Sequence, residues 1–224
     1  NQCISLAVTR YSKDAVLFDV GGGNGMVAKY LQDQNIPVVL IEAGLQGAIN
    51  ASQRGVSHLV HADFTALDIK PASLPAVGMF DVLEHIEDDI GCIKKIHCDL
   101  VPGGYYYLTV PAYQLLWSKE DVHAGHFRRY TLRSLKKKLC QAGFTISYGT
   151  YFFQYLPLPI LITRVLSSRL PFTKKRSMDN SRDDHISKCG KNPILTYLNH
   201  REMAIMSRGR SMRFGGSILI VARK

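Results

Sequence analysis

Apolar residues fall into short runs that alternate with amphipathic stretches from Ala15 to about Phe153. This alternation is typical of βα units around a parallel sheet, because its strands are buried on both faces and its helices on one side only. The pattern predicts strands at Ala15–Val20, Pro37–Ile41, Ser57–His61, Ala76–Phe80, Tyr105–Val110 and Thr145–Phe153. It predicts helices between them at Gly25–Gln32, Leu45–Gln53, Asp89–Leu100 and Leu132–Ala142. We therefore expect an α/β fold with a doubly wound, mostly parallel sheet.

The pattern changes after Phe153. Residues 154–213 lose the alternation and predict an insertion or lid region, with a polar loop at Pro171–Cys189 and a helix at Asn192–Ser207. Phe214–Arg223 then begins with glycines and continues as a β-branched run, which predicts a last strand. We expect a single domain over residues 1–224, with the insertion placed before the final strand.

Composition excludes several classes of protein. With 46% apolar residues the chain is not globally disordered. Its longest apolar stretch, residues 151–166, contains two prolines and an arginine and falls short of the roughly 18 apolar residues of a membrane span. This stretch predicts either packing in the core or lid, or contact with a membrane surface. The first residues lack a signal-peptide pattern, so we expect a cytoplasmic protein that could also bind membranes peripherally.

Charge and cysteine content add little about the fold. The chain has 28 Lys and Arg residues against 18 Asp and Glu, a formal net charge of +10 at pH 7. Such an excess favours contact with polyanions or an anionic surface. The cysteines are five in number and none forms a Cys-x-x-Cys pair. We expect reduced thiols, without a disulfide framework or a zinc ribbon.

The turn after the first predicted strand is rich in glycine and reads DVGGGNG from Asp19 to Gly25. Glycine at such a turn lets a ligand approach the backbone closely. A dinucleotide-binding G-x-G-x-x-G pattern that starts at Gly21 would need glycine at Met26, so this register fails. The spacing that fits is D-x-G-x-G-x-G, with Gly23 as its central glycine.

Four further segments follow in chain order, each at the end or the start of a predicted strand. Glu42 ends the second strand, and Asp63 with Phe64 follows the third. The sequence FDVLEHI begins at Phe80, and the sequence PGG opens the fifth strand at Pro102. A carboxylate such as Glu42 suits two hydroxyl donors, because it offers two acceptor oxygens.

Taken together, these segments resemble the class I S-adenosylmethionine-dependent methyltransferases. The resemblance covers most of residues 15–153 and implies a Rossmann-like fold with a seven-stranded, mostly parallel sheet. A narrower resemblance, to a bacterial-type subgroup, is carried by DVLEHI, by GHFRRYT and by the FGGS sequence at residues 214–217. Some members of that subgroup lie beside genes of glycan or lipid biosynthesis.

The resemblance implies S-adenosyl-L-methionine as cofactor and S-adenosyl-L-homocysteine as product. It implies that Glu42 accepts the ribose hydroxyls, that Asp63 takes the adenine amino group, and that Phe64 forms an apolar wall. The cofactor-binding residues it implies are Asp19, Gly21, Gly22, Gly23, Gly25, Glu42, Ala43, Asp63, Phe64, Phe80, Asp81 and Val82.

Methyl transfer from a sulfonium is an in-line displacement, so positioning supplies most of the acceleration. A base is needed only where the nucleophile starts protonated. His85 and His126 are the candidate bases; the alternative for His85 is a contact with cofactor or a packing role. Asp121, His123 and His126 have spacings that imitate a metal triad, but loop histidines usually serve hydrogen bonding, so we expect no metal.

Arg128, Arg129 and Tyr130 are the candidate substrate-binding residues. Two guanidinium groups beside a tyrosine suit a phosphate, a sugar phosphate or a carboxylate, because guanidinium binds such groups bidentately. The alternative is that both arginines pair with acids at the sheet edge.

The leading hypothesis is a methyltransferase that acts on an oxygen or nitrogen atom of a small or lipid- or glycan-linked acceptor. An RNA methyltransferase is one alternative, favoured by the net charge of +10. Amino-group DNA methylation is disfavoured, because FDVL stands where an Asn/Asp-Pro-Pro-aromatic segment would be expected. The other alternative is a non-catalytic S-adenosylmethionine-binding protein. The sequence leaves the oligomeric state open.

Overall fold

Seven strands form the sheet of the computed structural model, which describes residues 1–157 and 193–224. The strands are β1 (Leu17–Val20), β2 (Val38–Glu42), β3 (Leu59–His61), β4 (Leu74–Phe80), β5 (Leu100–Pro111), β6 (Thr145–Phe152) and β7 (Ser217–Arg223). Their order is β3-β2-β1-β4-β5-β7-β6. The first five run parallel, and β7 lies antiparallel between β5 and β6.

Helices flank this sheet. They are α1 (Gln2–Ser12), α2 (Met26–Gln32), α3 (Leu45–Gln53), α4 (Asp89–Asp99), α5 (Lys119–Ala124), α6 (Leu132–Gln141) and α7 (Pro193–Ser207). Short 3₁₀ turns stand at Phe64–Ala66, Leu83–His85 and Gln114–Leu116. None of the helices in the described ranges is long and apolar enough to cross a membrane.

Two hydrophobic clusters lie on the two faces of the sheet. Successive side chains of β5 point to opposite faces, so Tyr106 joins one cluster and Tyr107 the other. The Tyr106 cluster is closed by α4 and α6, which contribute Ile93 and Leu139 among others. The Tyr107 cluster is closed by α1, α2 and α7, with Val8 among its fully buried members. Helices on both faces explain why most residues of the strands are apolar.

The predicted fold class is confirmed, with a strand at each predicted position. The helix predicted at Asn192–Ser207 corresponds to α7, whereas the loop predicted at Pro171–Cys189 lies outside the described residues. So does most of the predicted insertion at residues 154–213, and the single-domain layout stays a prediction. Two helices were missed, α1 and α5. The six residues of α5 are too few to show a helical period.

The order of the strands places a crevice next to β1. Its neighbours are β2 on one side and β4 on the other, and the chain leaves β1 toward the first and returns to the second. Ligands of open α/β sheets bind at such a switch point, beyond the carboxyl ends of the strands. The glycine turn lies at this edge, because it follows β1 directly.

Candidate active site

The glycine turn adopts a backbone that other residues would strain. Gly21, Gly23 and Gly25 have φ angles of 71°, 55° and 72°, in the left-handed region. A Cβ atom at Gly21 would lie 2.9 Å from Cγ1 of Val82, so the turn packs closely against the segment after β4. A Cβ atom at Gly23 would meet no atom within 4 Å, so the backbone there borders open space.

Glu42, at the end of β2, is fixed by two backbone amides. Its Oε2 accepts a hydrogen bond from the Gly23 nitrogen at 2.7 Å, and its Oε1 accepts one from the Gly44 nitrogen at 2.7 Å. A carboxylate offers about four acceptor positions, so each oxygen can still accept another donor. The side chain is thus held in one orientation with room for two hydroxyl groups.

Asp19 lies fully buried beneath the glycine turn. Neither of its carboxylate oxygens has a hydrogen-bond partner among the described residues. Burial, assisted by the charge of Glu42, raises the pKa of Asp19 to about 7. A Cβ atom at Gly22 would lie 2.6 Å from Oδ2 of Asp19, so glycine is needed for the turn to cover this carboxylate. A buried, unpartnered carboxylate favours a positive charge nearby.

A cavity of about 430 Å³ opens beside the turn. Such a volume suits a small-molecule ligand. Residues at the ends of β1 to β4 contribute most of its wall, and His85 and Phe127 complete it. The full lining is Val20, Gly21, Ile41, Ala43, Ala62, Asp63, Phe64, Thr65, Met79, Val82, His85, Ile86, Glu87, Cys92 and Phe127.

Five of the twelve predicted cofactor residues line this cavity. Gly21, Ala43, Asp63, Phe64 and Val82 line the cavity directly. The carboxylate of Asp63 also accepts hydrogen bonds from the backbone and hydroxyl of a neighbouring threonine.

The other seven predicted residues do not line the cavity; they are Asp19, Gly22, Gly23, Gly25, Glu42, Phe80 and Asp81. Phe80 is buried in the core beneath the sheet edge and does not line the cavity. Asp81 has an unusual φ of 57° and accepts a hydrogen bond from the Thr109 hydroxyl at 3.2 Å. The apolar wall contributed by Ile41, Met79 and other core residues was missed, because nothing in the sequence separates such residues from ordinary strand interior.

The two candidate bases lie against one another. The His85 and His126 rings are 4.6 Å apart between centroids and meet edge to face at 81°. Nδ1 of His126 lies 2.8 Å from Oδ1 of Asp121, a buried carboxylate on α5. Burial, together with the adjacent His126, lowers the pKa of His85 below its ordinary value. His85 is therefore neutral at neutral pH.

Glu84 lies beside these imidazoles and was not predicted as a site residue. Its side chain is almost fully buried, and Oε2 has no hydrogen-bond partner within the described ranges. Burial, and then the charge of Asp81, raises the pKa of Glu84 to about 8. Its carbonyl oxygen accepts a hydrogen bond from the Phe127 nitrogen at 2.8 Å, which joins the segment after β4 to the segment after α5.

The predicted substrate-binding residues are held by acids of the same chain. Nε and Nη2 of Arg129 lie 2.8 and 3.1 Å from the two carboxylate oxygens of Asp121. Arg128 pairs with Asp89 at 3.0 Å, and the Tyr130 hydroxyl donates to the same carboxylate at 2.9 Å. This arrangement favours the alternative that the arginines pair with acids at the sheet edge. A direct contact with an acceptor stays a prediction.

Asp121 holds both His126 and Arg129. Burial alone would raise the pKa of its carboxyl, but hydrogen bonds from these two residues prevail and lower it. Asp121 is thus ionised at neutral pH and fixes the His126 ring from one side.

Comparison with known proteins identifies the family. A family model described as a methyltransferase domain matches residues 4–148. A comparison with curated proteins finds no match. Among solved structures, a putative methyltransferase from Bacillus halodurans C-125 is 16% identical, with a TM-score of 0.63, over 100% of this chain and 98% of the other.

Two further solved structures are similar. An S-adenosylmethionine-dependent methyltransferase from Archaeoglobus fulgidus is 14% identical over 100% of this chain and 95% of its own, with a TM-score of 0.62. Phosphoethanolamine N-methyltransferase 2 from Haemonchus contortus, in complex with S-adenosyl-L-methionine, is 15% identical over 98% of this chain and 52% of its own, with a TM-score of 0.62. These likenesses show the fold, and the matched model spans more than half of the chain. The chain therefore belongs to the methyltransferase-domain family and is a class I S-adenosylmethionine-dependent methyltransferase.

Proposed function

We propose that this methyltransferase binds its cofactor between the glycine turn and the ends of β2 and β3. The methyl group then passes to an oxygen or nitrogen atom of a small or lipid- or glycan-linked acceptor that lies beside His85 and His126. The observation that carries the proposal is the Glu42 carboxylate, which two backbone amides orient and whose neighbours in sequence, Ile41 and Ala43, line the 430 Å³ cavity.

The chemistry of the crevice fits S-adenosylmethionine. Glu42 offers acceptor oxygens for two ribose hydroxyls, and Asp63 beside the buried Phe64 ring suits an adenine amino group next to an apolar face. Asp19 and Asp81 add negative charge at the other end of the crevice, where the cofactor's positive ammonium and sulfonium groups would lie. When bound, the cofactor supplies a methyl group that is electrophilic because it is attached to a positively charged sulfur.

The chain contributes mainly orientation. The close packing of Gly21 against Val82 fixes the distance between the glycine turn and the segment after β4. Holding nucleophile and methyl group in line can lower the barrier by about 7–11 kcal/mol. A nucleophile that starts protonated gives its proton to an imidazole; His126 is oriented for this by Asp121, and His85 is neutral.

A second cavity supports a small acceptor with an apolar part. Its volume is about 330 Å³, and α1, α7 and the end of β6 form its walls, with Cys3, Phe152 and Phe153 among the lining residues. The charge of Asp81 acts on the Cys3 thiol of this cavity, and Asp81 is next in sequence to Val82, which lines the crevice. We therefore propose this cavity as part of the acceptor site.

The cofactor assignment is tested by calorimetric titration with S-adenosylhomocysteine. Replacing Glu42 by Gln should weaken binding about ten- to a hundredfold, because a charge-assisted hydrogen bond contributes about 1.5–3 kcal/mol. Asp14→Asn is the control, since this exposed acid precedes β1 at the opposite edge of the sheet. Equal affinity in the parent and Glu42→Gln would overturn the assignment of the crevice.

The acceptor is tested with methyl-labelled cofactor and fractionated extract of the source cell. Label in the lipid, glycan or small-molecule fraction supports the proposal. Label confined to RNA would replace it by the RNA alternative, and the absence of transfer to every fraction would favour a non-catalytic binding protein.

A further inference from the structure

Glu84, His85 and His126 form a cluster that the methyl-transfer reaction does not require as a group. Each offers one ligand atom, and these three atoms lie within 4.8 Å of one another. Tetrahedral bonds of about 2.0–2.2 Å to a central cation place the ligand atoms about 3.3–3.6 Å apart, so the side chains would have to approach one another by about 1 Å when the ion binds. We propose that this cluster binds one divalent transition-metal ion.

The first argument is charge. Glu84 is almost fully buried with an unpartnered Oε2, and no Lys or Arg of the described ranges lies within ion-pair distance of Glu84 or Asp81. The third acid nearby, Asp121, is already paired with Arg129. The charge of Arg129 acts on Glu84 without a direct ion pair. Two carboxyl groups that lack a direct ion pair at a partly closed site are costly when ionised, and a divalent cation compensates that cost.

The second argument is the orientation of the imidazoles. Nδ1 of His126 faces the Asp121 carboxylate, which leaves Nε2 as the nitrogen with a free lone pair. The backbone of Ala124 and Gly125 hydrogen-bonds to the His85 ring. Metal-binding histidines are commonly fixed in this way, with one nitrogen on a carboxylate or carbonyl group and the other on the metal.

The ligand set indicates the class of metal. Two imidazoles and one carboxylate suit Zn²⁺, Fe²⁺ or Co²⁺ better than Mg²⁺ or Ca²⁺, which prefer oxygen ligands. Three protein ligands leave a coordination position open, and His85 also lines the crevice. The cluster therefore borders the crevice, beside the place that we propose for the acceptor. This departs from the expectation, drawn from the sequence, that the site needs no metal.

A cation there has a chemical consequence that rests on the proposed function. An acceptor hydroxyl bound to the metal loses its proton to water more readily, because the cation lowers its pKa. The resulting oxygen forms the bond to the methyl carbon while the carbon–sulfur bond breaks and its electrons remain on sulfur. In that case the imidazoles serve as ligands rather than as bases. The cation promotes the loss of the hydroxyl proton, and water accepts it.

The test uses the full chain without a histidine tag, stripped with a chelator and titrated with Co²⁺. We expect one bound ion per chain and a visible absorption band from the coordinated metal. The substitutions His126→Ala and Glu84→Gln should each weaken binding about ten- to a hundredfold. His123→Ala is the matched control, because His123 is an exposed imidazole on α5, three residues before His126, and lies outside the cluster.

Titration of each variant with S-adenosylhomocysteine separates the two proposals. Variants that bind this ligand like the parent are folded, so their loss of Co²⁺ binding reports on the metal site alone. Co²⁺ binding that is absent, that does not saturate below millimolar concentration, or that survives His126→Ala would overturn the metal site without affecting the cofactor assignment.

Discussion

Among single residues, Asp19 carries the largest electrostatic cost in the cofactor half of the site. It is fully buried, and its carboxylate accepts no hydrogen bond from any described residue. The D-x-G-x-G-x-G spacing predicted that Asp19 belongs to the cofactor site. It gave no information on burial, because that depends on Gly22 allowing the turn to close over the carboxylate.

We predict that the stability of the cofactor-free protein falls as pH rises from about 4 to about 7. The pKa of Asp19 is raised in the folded state from 3.8 to about 7, so the folded protein binds a proton that the unfolded chain releases. Each unit of pKa shift corresponds to about 1.4 kcal/mol, which makes the loss on the order of 4 kcal/mol. Urea unfolding of the parent and Asp19→Asn across this range measures it, because the variant lacks the titrating group. The same pH profile in both proteins would contradict this account.

At the scale of elements, the positions of the strands could be predicted from the sequence more accurately than the contacts between side chains. Buried parallel strands such as β2 and β4 contain apolar runs bounded by turn residues, so their positions could be predicted from the sequence. The segment between α5 and α6 was predicted to bind the substrate through Arg128, Arg129 and Tyr130. Their partners Asp89 and Asp121 could not be chosen from the sequence, since folding decides which acids come within reach.

Helix α1 was missed although its sequence has apolar residues at helical spacing. Cys3, Ile4, Ala7 and Val8 are buried at helical spacing, and they pack against one face of the sheet beside α7. Glu84 had no such signal. A glutamate in a short turn resembles a solvated residue, whereas this one is buried in the folded chain, where the Phe127 nitrogen of a later segment donates to its carbonyl oxygen.

The junction between α7 and the end of β6 depends on one buried acid. The Glu202 carboxylate accepts hydrogen bonds from the Phe153 nitrogen at 2.9 Å and the Gln154 nitrogen at 2.7 Å. Glu202→Gln leaves one of these amides without an acceptor, so we expect a loss of about 1–3 kcal/mol in the free energy of unfolding. Arg201→Gln, at an exposed position of the same helix, should change it by less than about 0.5 kcal/mol. Urea unfolding checks both values, and equal effects would contradict the role of Glu202.

For the whole molecule, the seven-stranded order and the matched family agree with the fold that the sequence motifs implied. The motifs were sufficient because glycine spacing and strand-end acids reflect the shape of the ligand. The acceptor could not be predicted in the same way, because the cavity that we propose for it combines residues from α1, β6 and α7 that are distant in sequence.

Thermal stabilisation by ligands should distinguish S-adenosylhomocysteine, which we expect to bind, from the dinucleotide NAD⁺, which we expect not to bind. S-Adenosylhomocysteine at a hundred times its dissociation constant adds about 2.7 kcal/mol to the free energy of unfolding. For a chain of this size we expect a rise in Tm of roughly 5–10 °C, measured by differential scanning fluorimetry. NAD⁺ should give no shift, because the glycine register lacks the dinucleotide pattern at Met26. A shift with NAD⁺, or none with S-adenosylhomocysteine, would contradict the cofactor assignment.

The place of β7 has a consequence for how the chain reaches this state. Strand β6 pairs with no strand of the parallel group; it joins the sheet only through β7, which comes much later in the sequence. During synthesis the strands β1 to β5 can assemble in order, but one edge of β5 stays unpaired until β7 has been made. During that interval the unpaired edge is the part of the folding intermediate most exposed to pairing with another chain.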